Sequence, residues 1–188
     1  IRAGDGDFYI AGGVESMSRA PFVMPKAETA FTRQAEIHDT TIGWRFINPK
    51  MKAGYGVDAL GVTAENVAAD HGVTRADQDA FALRSQERAS IAQAAGRFAE
   101  EIVAVPARRG RETIAVTTDE HPRPETTLEQ LSRLKPAFQD GGTVTAGNSS
   151  GVNDGAVAML IASKAAASLP DEARQSFAET AESQLRVV

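Results

Sequence analysis

The sequence predicts an α/β fold, and three stretches carry that expectation. Residues 156–162, "AVAMLIA", are too uniformly apolar for a half-exposed strand. Such a run belongs to a strand buried on both faces, as in a parallel or mixed sheet with helices on each side. "DFYIAGG", near the start, is a shorter apolar run closed by a glycine pair, which reads as a second buried strand ending in a tight turn. Between them lies the clearest helix, opened by Thr74 as N-cap with Asp77 at the capping-box position and closed by Gly96.

The remaining elements follow in order. Residues 20–58 hold "APFVMP" and "FINPKM" without a sustained period, and read as an irregular segment facing a ligand or an interface. "TAENVAADHG" offers a helix with Thr63 as N-cap and Gly72 as its stop. In the helix after Thr74, Ala80, Leu83, Ile91 and Ala94 share one face, while Arg84, Glu87 and Arg88 point elsewhere. "EIVAVPARRGRETIAVTT" reads as two short strands paired around "RRGR". "HPRPETTLEQL" is a proline-punctuated loop leading into a short helix from Thr127. "SKAAASLPDEARQSFAETAESQ" is expected to be helical with a break at Pro170, and "LRVV" to open another strand. There is no internal repeat and no low-complexity tract.

Composition excludes several classes of function. With 188 residues and 42% hydrophobic content the chain can build one or two domains with a real core. A net charge of −5, with Lys and Arg scattered among Asp and Glu, provides no basic field for nucleic acid. Cysteine is absent, which removes disulfides, thiolate metal sites and cysteine nucleophiles and fits a cytoplasmic setting. No apolar stretch approaches the ~20 residues of a membrane span, so no membrane partner is expected. The opening "IRAGDGDFYIAGG" lacks the basic and long apolar regions of a signal peptide and reads like the interior of a longer chain.

The chemistry converges on residues 142–156, "GTVTAGNSSGVNDGA". "GNSSG" satisfies the nucleophile-elbow pattern with Ser149 at its centre. A hydrolase of that class needs a histidine downstream, whereas the last histidine is His121, so that reading is disfavoured. Neither phosphate-cradling glycine motif occurs. His38, His71 and His121 stand too far apart for a metal site, and "DGDFY" and "NDGAV" lack most calcium-loop ligands, so no metal is expected. What survives is backbone chemistry: a run of Gly, Ser, Thr and Ala lets main-chain amides approach a narrow, amide-rich ligand. A purely structural turn fits the composition as well.

"GGVESMSRAPF", "GVTAENVA", "DQDAFALRSQ", "GRFAEEIV", "LKPAF" and "GTVTAGNSSGVNDGA" follow one another as they do in the thiolases, and the chain resembles that family over nearly its whole length. "SRAPFVMPKAETAFTRQAEIHDTTIGWRF" and "DEHPRPETTLEQL" are similar to the branch acting on 3-oxoadipyl-CoA. The resemblance implies a layered α/β/α/β/α fold. Residues 1–19 would end the first-half sheet, 20–141 would form an inserted loop domain over coenzyme A, and 142–188 would return to the sheet.

It further implies ping-pong acyl transfer between a 3-oxoacyl-CoA and coenzyme A, with coenzyme A as substrate and no tightly bound cofactor. A homo-oligomer, dimer or tetramer, would be the full-length state. By position, Ser150 would hydrogen-bond the pantetheine arm, Ala146 and Val152 would wall it, Phe138 would contact it, and Arg123 would lie near the adenine. No catalytic residue carries over. The family's nucleophilic and acid/base cysteines have no counterpart in a chain without cysteine, the second-half motifs Asn-Glu-Ala-Phe and Gly-His-Pro are absent, and Ala59 stands where many thiolases place a loop histidine. The chain therefore resembles a middle fragment of a thiolase that lacks the chemistry. The other expectation is a non-catalytic coenzyme-A-binding or oligomerisation module.

Overall fold

The computed structural model describes residues 1–168. The helix and strand expected beyond Ser168, around Pro170 and in "LRVV", lie outside the described residues. The chain divides into two compact units: Ile1–Arg19 together with the chain from Asn153 onward, and Ala20–Val152.

The smaller unit is built on strands β1 (Phe8–Ser16) and β6 (Asp154–Ala162), which pair antiparallel from Phe8 opposite Ala162 to Ser16 opposite Asp154. Its far end is tied by Asp154, which accepts from the Ser18 amide at 2.9 Å and the Ser18 hydroxyl at 2.5 Å. Ser163 caps the short helix α5 (Lys164–Ala167), its hydroxyl accepting from the Ala166 amide at 3.2 Å.

Two expectations change here. The Gly12-Gly13 pair does not end the first strand but lies within it. A Cβ on Gly12 would stand 2.5 Å from the Val157 carbonyl oxygen, so close interstrand approach, not a turn, is what the glycine allows. The "AVAMLIA" strand is not enclosed in a parallel or mixed sheet. Among the described residues it pairs only with β1, and Val157, Met159, Leu160 and Ile161 are 60%, 55%, 48% and 44% exposed. With only two strands among the described residues, the ribbon has no further strand to shelter these side chains, which meet solvent.

The larger unit opens irregularly, with a two-residue pairing of β2 (Phe22–Val23) and β3 (His38–Asp39) and helix α1 (Pro49–Tyr55). Helix α2 (Leu60–His71) begins three residues before the expected cap. The Thr63 amide bonds the Ala59 carbonyl at 3.0 Å and the Thr63 hydroxyl leans on the same oxygen at 3.4 Å, so Thr63 belongs to the first turn and Ala59 is the cap. Gly72 stops the helix in the left-handed region at φ 64°, where the Val73 amide reaches back to the Ala68 carbonyl at 2.9 Å.

Helix α3 (Arg75–Ala94) carries the expected Thr74 and Asp77 capping box. Its covered face is not the expected one. Of the expected face only Leu83 is partly covered; Ala80, Ile91 and Ala94 are exposed, and burial falls on Asp79 with Gln78, Ala82 and Gln86 partly covered. The reason is the neighbour: Gln78 and Asp79 meet a polar loop, described below, and Gln86 meets the Arg123 amide. Strands β4 (Val105–Arg109) and β5 (Glu112–Val116) form the expected hairpin with Gly110 at φ 66° in the turn. Helix α4 (Leu128–Ser132) starts at the Thr127 cap, completed by Gln130. Few apolar side chains are fully covered; in this unit they are Ala68, Leu131 and Val144.

Candidate functional site

The segment "GGTVTAGNSSG" has almost no side chain with which to pack, so its conformation must be imposed by its neighbours. Helices α2 and α3 each present a buried carboxylate for that purpose. Glu65, 5% exposed, lies one turn before the buried Ala68 on the covered face of α2. Its carboxylate accepts from the Thr143 amide at 2.8 and 2.9 Å, the Val144 amide at 2.7 Å and the Thr143 hydroxyl at 2.8 Å. A Cβ on Gly142 would overlap Glu65 Oε1, so the glycine admits the carboxylate.

Asp79, 4% exposed, anchors the other flank. It accepts from Arg75 Nε at 2.8 Å, one helical turn earlier, and from Asn148 Nδ2 at 2.9 Å. Arg75 also donates through Nη2 to the Leu131 and Leu134 carbonyls at 2.6 and 3.1 Å, fixing the C-terminal end of α4. Gln78 donates to the Thr143 hydroxyl at 2.9 Å. Asn148 ties the loop to itself: Oδ1 accepts from the Thr145 amide at 2.7 Å, and Nδ2 donates to the Thr143 carbonyl at 3.1 Å. Thr145 is wholly buried at the centre, and a Cβ on Gly147 would stand 2.5 Å from both Leu131 and Leu134.

The electrostatics follow from these bonds. Burial pushes the Glu65 carboxyl up, but the Thr143 and Val144 amides and the Thr143 hydroxyl outweigh it, and the net position is below the ordinary glutamate value. The carboxylate is thus the form that the loop selects.

The sequence-predicted residues divide unequally. Ala146 and Ser150 are exposed, and Val152 is half-exposed, along the outer edge of the loop. The Ser150 hydroxyl and the Ala146 and Ser150 amides have no hydrogen-bond partner among the described residues. Phe138 is partly buried with its ring over Gly61, where a Cβ would collide with it. Arg123 comes from the segment before α4; its amide donates to Gln86 Oε1 at 2.7 Å, and its guanidinium turns back onto the Glu120, His121 and Pro122 carbonyls at 2.9, 3.1 and 3.4 Å. A shallow cleft of about 490 Å³ lined by Val73, Gln78, Phe81, Arg84 and Asn148 includes none of these five residues.

Ser149 is no activated nucleophile. Its hydroxyl donates to the Thr145 carbonyl at 2.7 Å, and the segment runs from loop into strand, whereas a nucleophile elbow joins strand to helix. Sequence reasoning missed Glu65, Arg75, Gln78 and Asp79. Their only early signal was placement: Glu65 three residues before an alanine, and Arg75 and Asp79 at i, i+4 on a capped helix.

A buried polar frame that holds a Gly, Ser and Ala edge open to solvent suits recognition of a narrow ligand by backbone donors. The family model for the thiolase N-terminal domain matches residues 1–165, and the chain belongs to the thiolase family. Within it, the chain is 63% identical over 163 residues to the β-ketoadipyl-CoA thiolase of Pseudomonas knackmussii, covering 87% of this chain and 41% of that one. It is 60% identical over 165 residues to the 3-oxoadipyl-CoA/3-oxo-5,6-dehydrosuberyl-CoA thiolase of Escherichia coli, with the same coverage. Among solved structures, human mitochondrial 3-ketoacyl-CoA thiolase in complex with CoA aligns with a TM-score of 0.67 at 38% identity, over 85% of this chain and 38% of that chain. The acetyl-CoA acetyltransferase of Bacillus anthracis aligns with a TM-score of 0.69 at 36% identity, over 87% and 41%. The fold is therefore thiolase-like, and the chain spans about two-fifths of the length of these relatives. No helix among the described residues is long and apolar enough to cross a membrane.

Proposed function

We propose that the chain serves a thiolase that transfers an acyl group between 3-oxoadipyl-CoA and coenzyme A, giving succinyl-CoA and acetyl-CoA, and that it contributes coenzyme-A-binding surface. The observation that carries the substrate is the 63% identity to a β-ketoadipyl-CoA thiolase. Residues 20–141 form the inserted domain that covers the coenzyme, and residues 142–152 receive the pantetheine arm. Ser150 donates to or accepts from a pantetheine amide, Ala146 and Val152 flank the arm, Phe138 contacts it, and Arg123 lies toward the adenine. The exposed Ser150 hydroxyl, without a hydrogen-bond partner among the described residues, supports this assignment. The working state is a cytoplasmic homo-oligomer, with coenzyme A as substrate and no resident cofactor.

The 188-residue chain has no cysteine, so it cannot form the acyl-thioester intermediate of ping-pong transfer and is inactive alone. The test replaces the matching segment of the Pseudomonas knackmussii enzyme with residues 1–165 and assays coenzyme-A-dependent cleavage of 3-oxoadipyl-CoA beside acetoacetyl-CoA. Preferred cleavage of 3-oxoadipyl-CoA by the chimera and none by the 188-residue chain is expected. A folded chimera that has lost 3-oxoadipyl-CoA cleavage, or turnover by the chain alone, contradicts the reading.

A further inference from the structure

We propose that Glu65 is a positioning residue for acyl-coenzyme-A binding: by holding the Thr143 and Val144 amides on one flank of the loop, it fixes the exposed edge of Ala146 and Ser150. The proposal rests on the coenzyme-A reading of that edge.

Glu65 belongs to α2, far from the loop in sequence, and touches neither Ala146 nor Ser150 through any hydrogen bond. Its carboxylate instead gathers donors from two consecutive loop residues, which sets the direction of the backbone entering the turn at Ala146–Asn148. The opposite flank is set by Asn148 on Asp79. Between these struts stand Thr145, Ala146 and Gly147, while Ser150 follows two residues after the Asn148 strut. Two fixed ends and a short span leave the intervening backbone little freedom, so moving one strut moves the edge. An acceptor-only group is required: a glutamine would set an NH₂ against an amide N–H and could not satisfy all three donors. The isosteric Glu65→Gln change therefore weakens the strut, since only one of its two terminal atoms can still accept, while conserving volume.

The test uses the full 188-residue chain, titrated with coenzyme A, with amide hydrogen exchange followed in the loop and in α3. Glu65→Gln is expected to weaken coenzyme A by about fivefold or more and to speed exchange at Thr143 and Val144 by about tenfold, leaving α3 unchanged. Thr143→Val, which removes the hydroxyl that donates to Glu65 and accepts from Gln78 but leaves the carboxylate on both amides, should weaken binding about twofold. Unchanged affinity in either variant overturns the proposal, as does exchange that accelerates equally in α3, which would make Glu65 a general stabiliser. Wild-type chain that fails to bind coenzyme A sinks the reading of the edge and this proposal with it, whatever the variants' exchange rates.

Discussion

The loop of the larger unit and the ribbon of the smaller one invert the usual expectation from hydropathy. Residues 142–148, rich in Gly, Ser, Thr and Asn, look like a surface linker, yet Thr145 and Val144 are buried within a hydrogen-bonded frame. Residues 156–162, apolar throughout, look like core, yet Val157 and Met159 face solvent on a two-stranded ribbon. The difference lies in what each needs. The loop's partners, Glu65 and Asp79, lie in the same unit, and satisfied polar groups can be buried at little net cost. The ribbon's apolar faces gain nothing until another layer covers them.

The largest effect is expected from removing the strut. Glu65→Ala leaves the Thr143 and Val144 amides and the Thr143 hydroxyl without an acceptor and should destabilise the larger unit by about 3 kcal/mol or more. Denaturant unfolding followed at Trp44, the sole tryptophan, reports on that unit alone. A loss below about 1 kcal/mol would break the contrast.

Acid should act on the same group. The folded carboxyl lies below its ordinary value, so its stabilising contribution is complete above the unfolded pKa of about 4.3 and is lost as pH falls through the lower folded value. The Trp44 melting temperature should therefore decline below about pH 4 more steeply in the parent than in Glu65→Gln. Parallel declines would remove Glu65 from the account.

Gly147→Ala should cost about 1–3 kcal/mol, because the added methyl must displace Leu131 and Leu134. The same unfolding measurement checks it, and a neutral result would mean that those leucines yield freely. The smallest effect belongs to the ribbon: Val157→Thr should change stability by less than about 0.5 kcal/mol while lowering binding of a hydrophobic dye. A loss of several kcal/mol would show that the ribbon's faces are covered after all.

Local chemistry was the part legible in the sequence. Thr74 with Asp77, and Thr127 with Gln130, formed their caps because capping is decided within one helical turn, and "RRGR" turned at Gly110 for the same reason. The family was legible because its motifs recur in order along the chain. Non-local placement was not. Glu65 reads as a solvated helix residue until the loop 78 residues away is laid over it. The covered positions Gln78 and Asp79 of α3 answer to that loop and not to the helix's own apolar residues, and Gly12 of β1 answers to the partner strand. The start of α2 was misplaced because Thr63 caps by type but Ala59 caps by geometry.

The most direct test of the account is a coenzyme A titration of the parent chain, Ser150→Val and Ser149→Ala. Ser150→Val removes a hydroxyl that has no partner among the described residues and should weaken binding by about 0.5–1.5 kcal/mol from the hydrogen bond alone. Ser149→Ala, whose hydroxyl faces the Thr145 carbonyl, should bind within about twofold of the parent. Loss of affinity in Ser150→Val with Ser149→Ala near the parent is the predicted result; unchanged binding in Ser150→Val would contradict it and leave residues 142–152 as a structural turn.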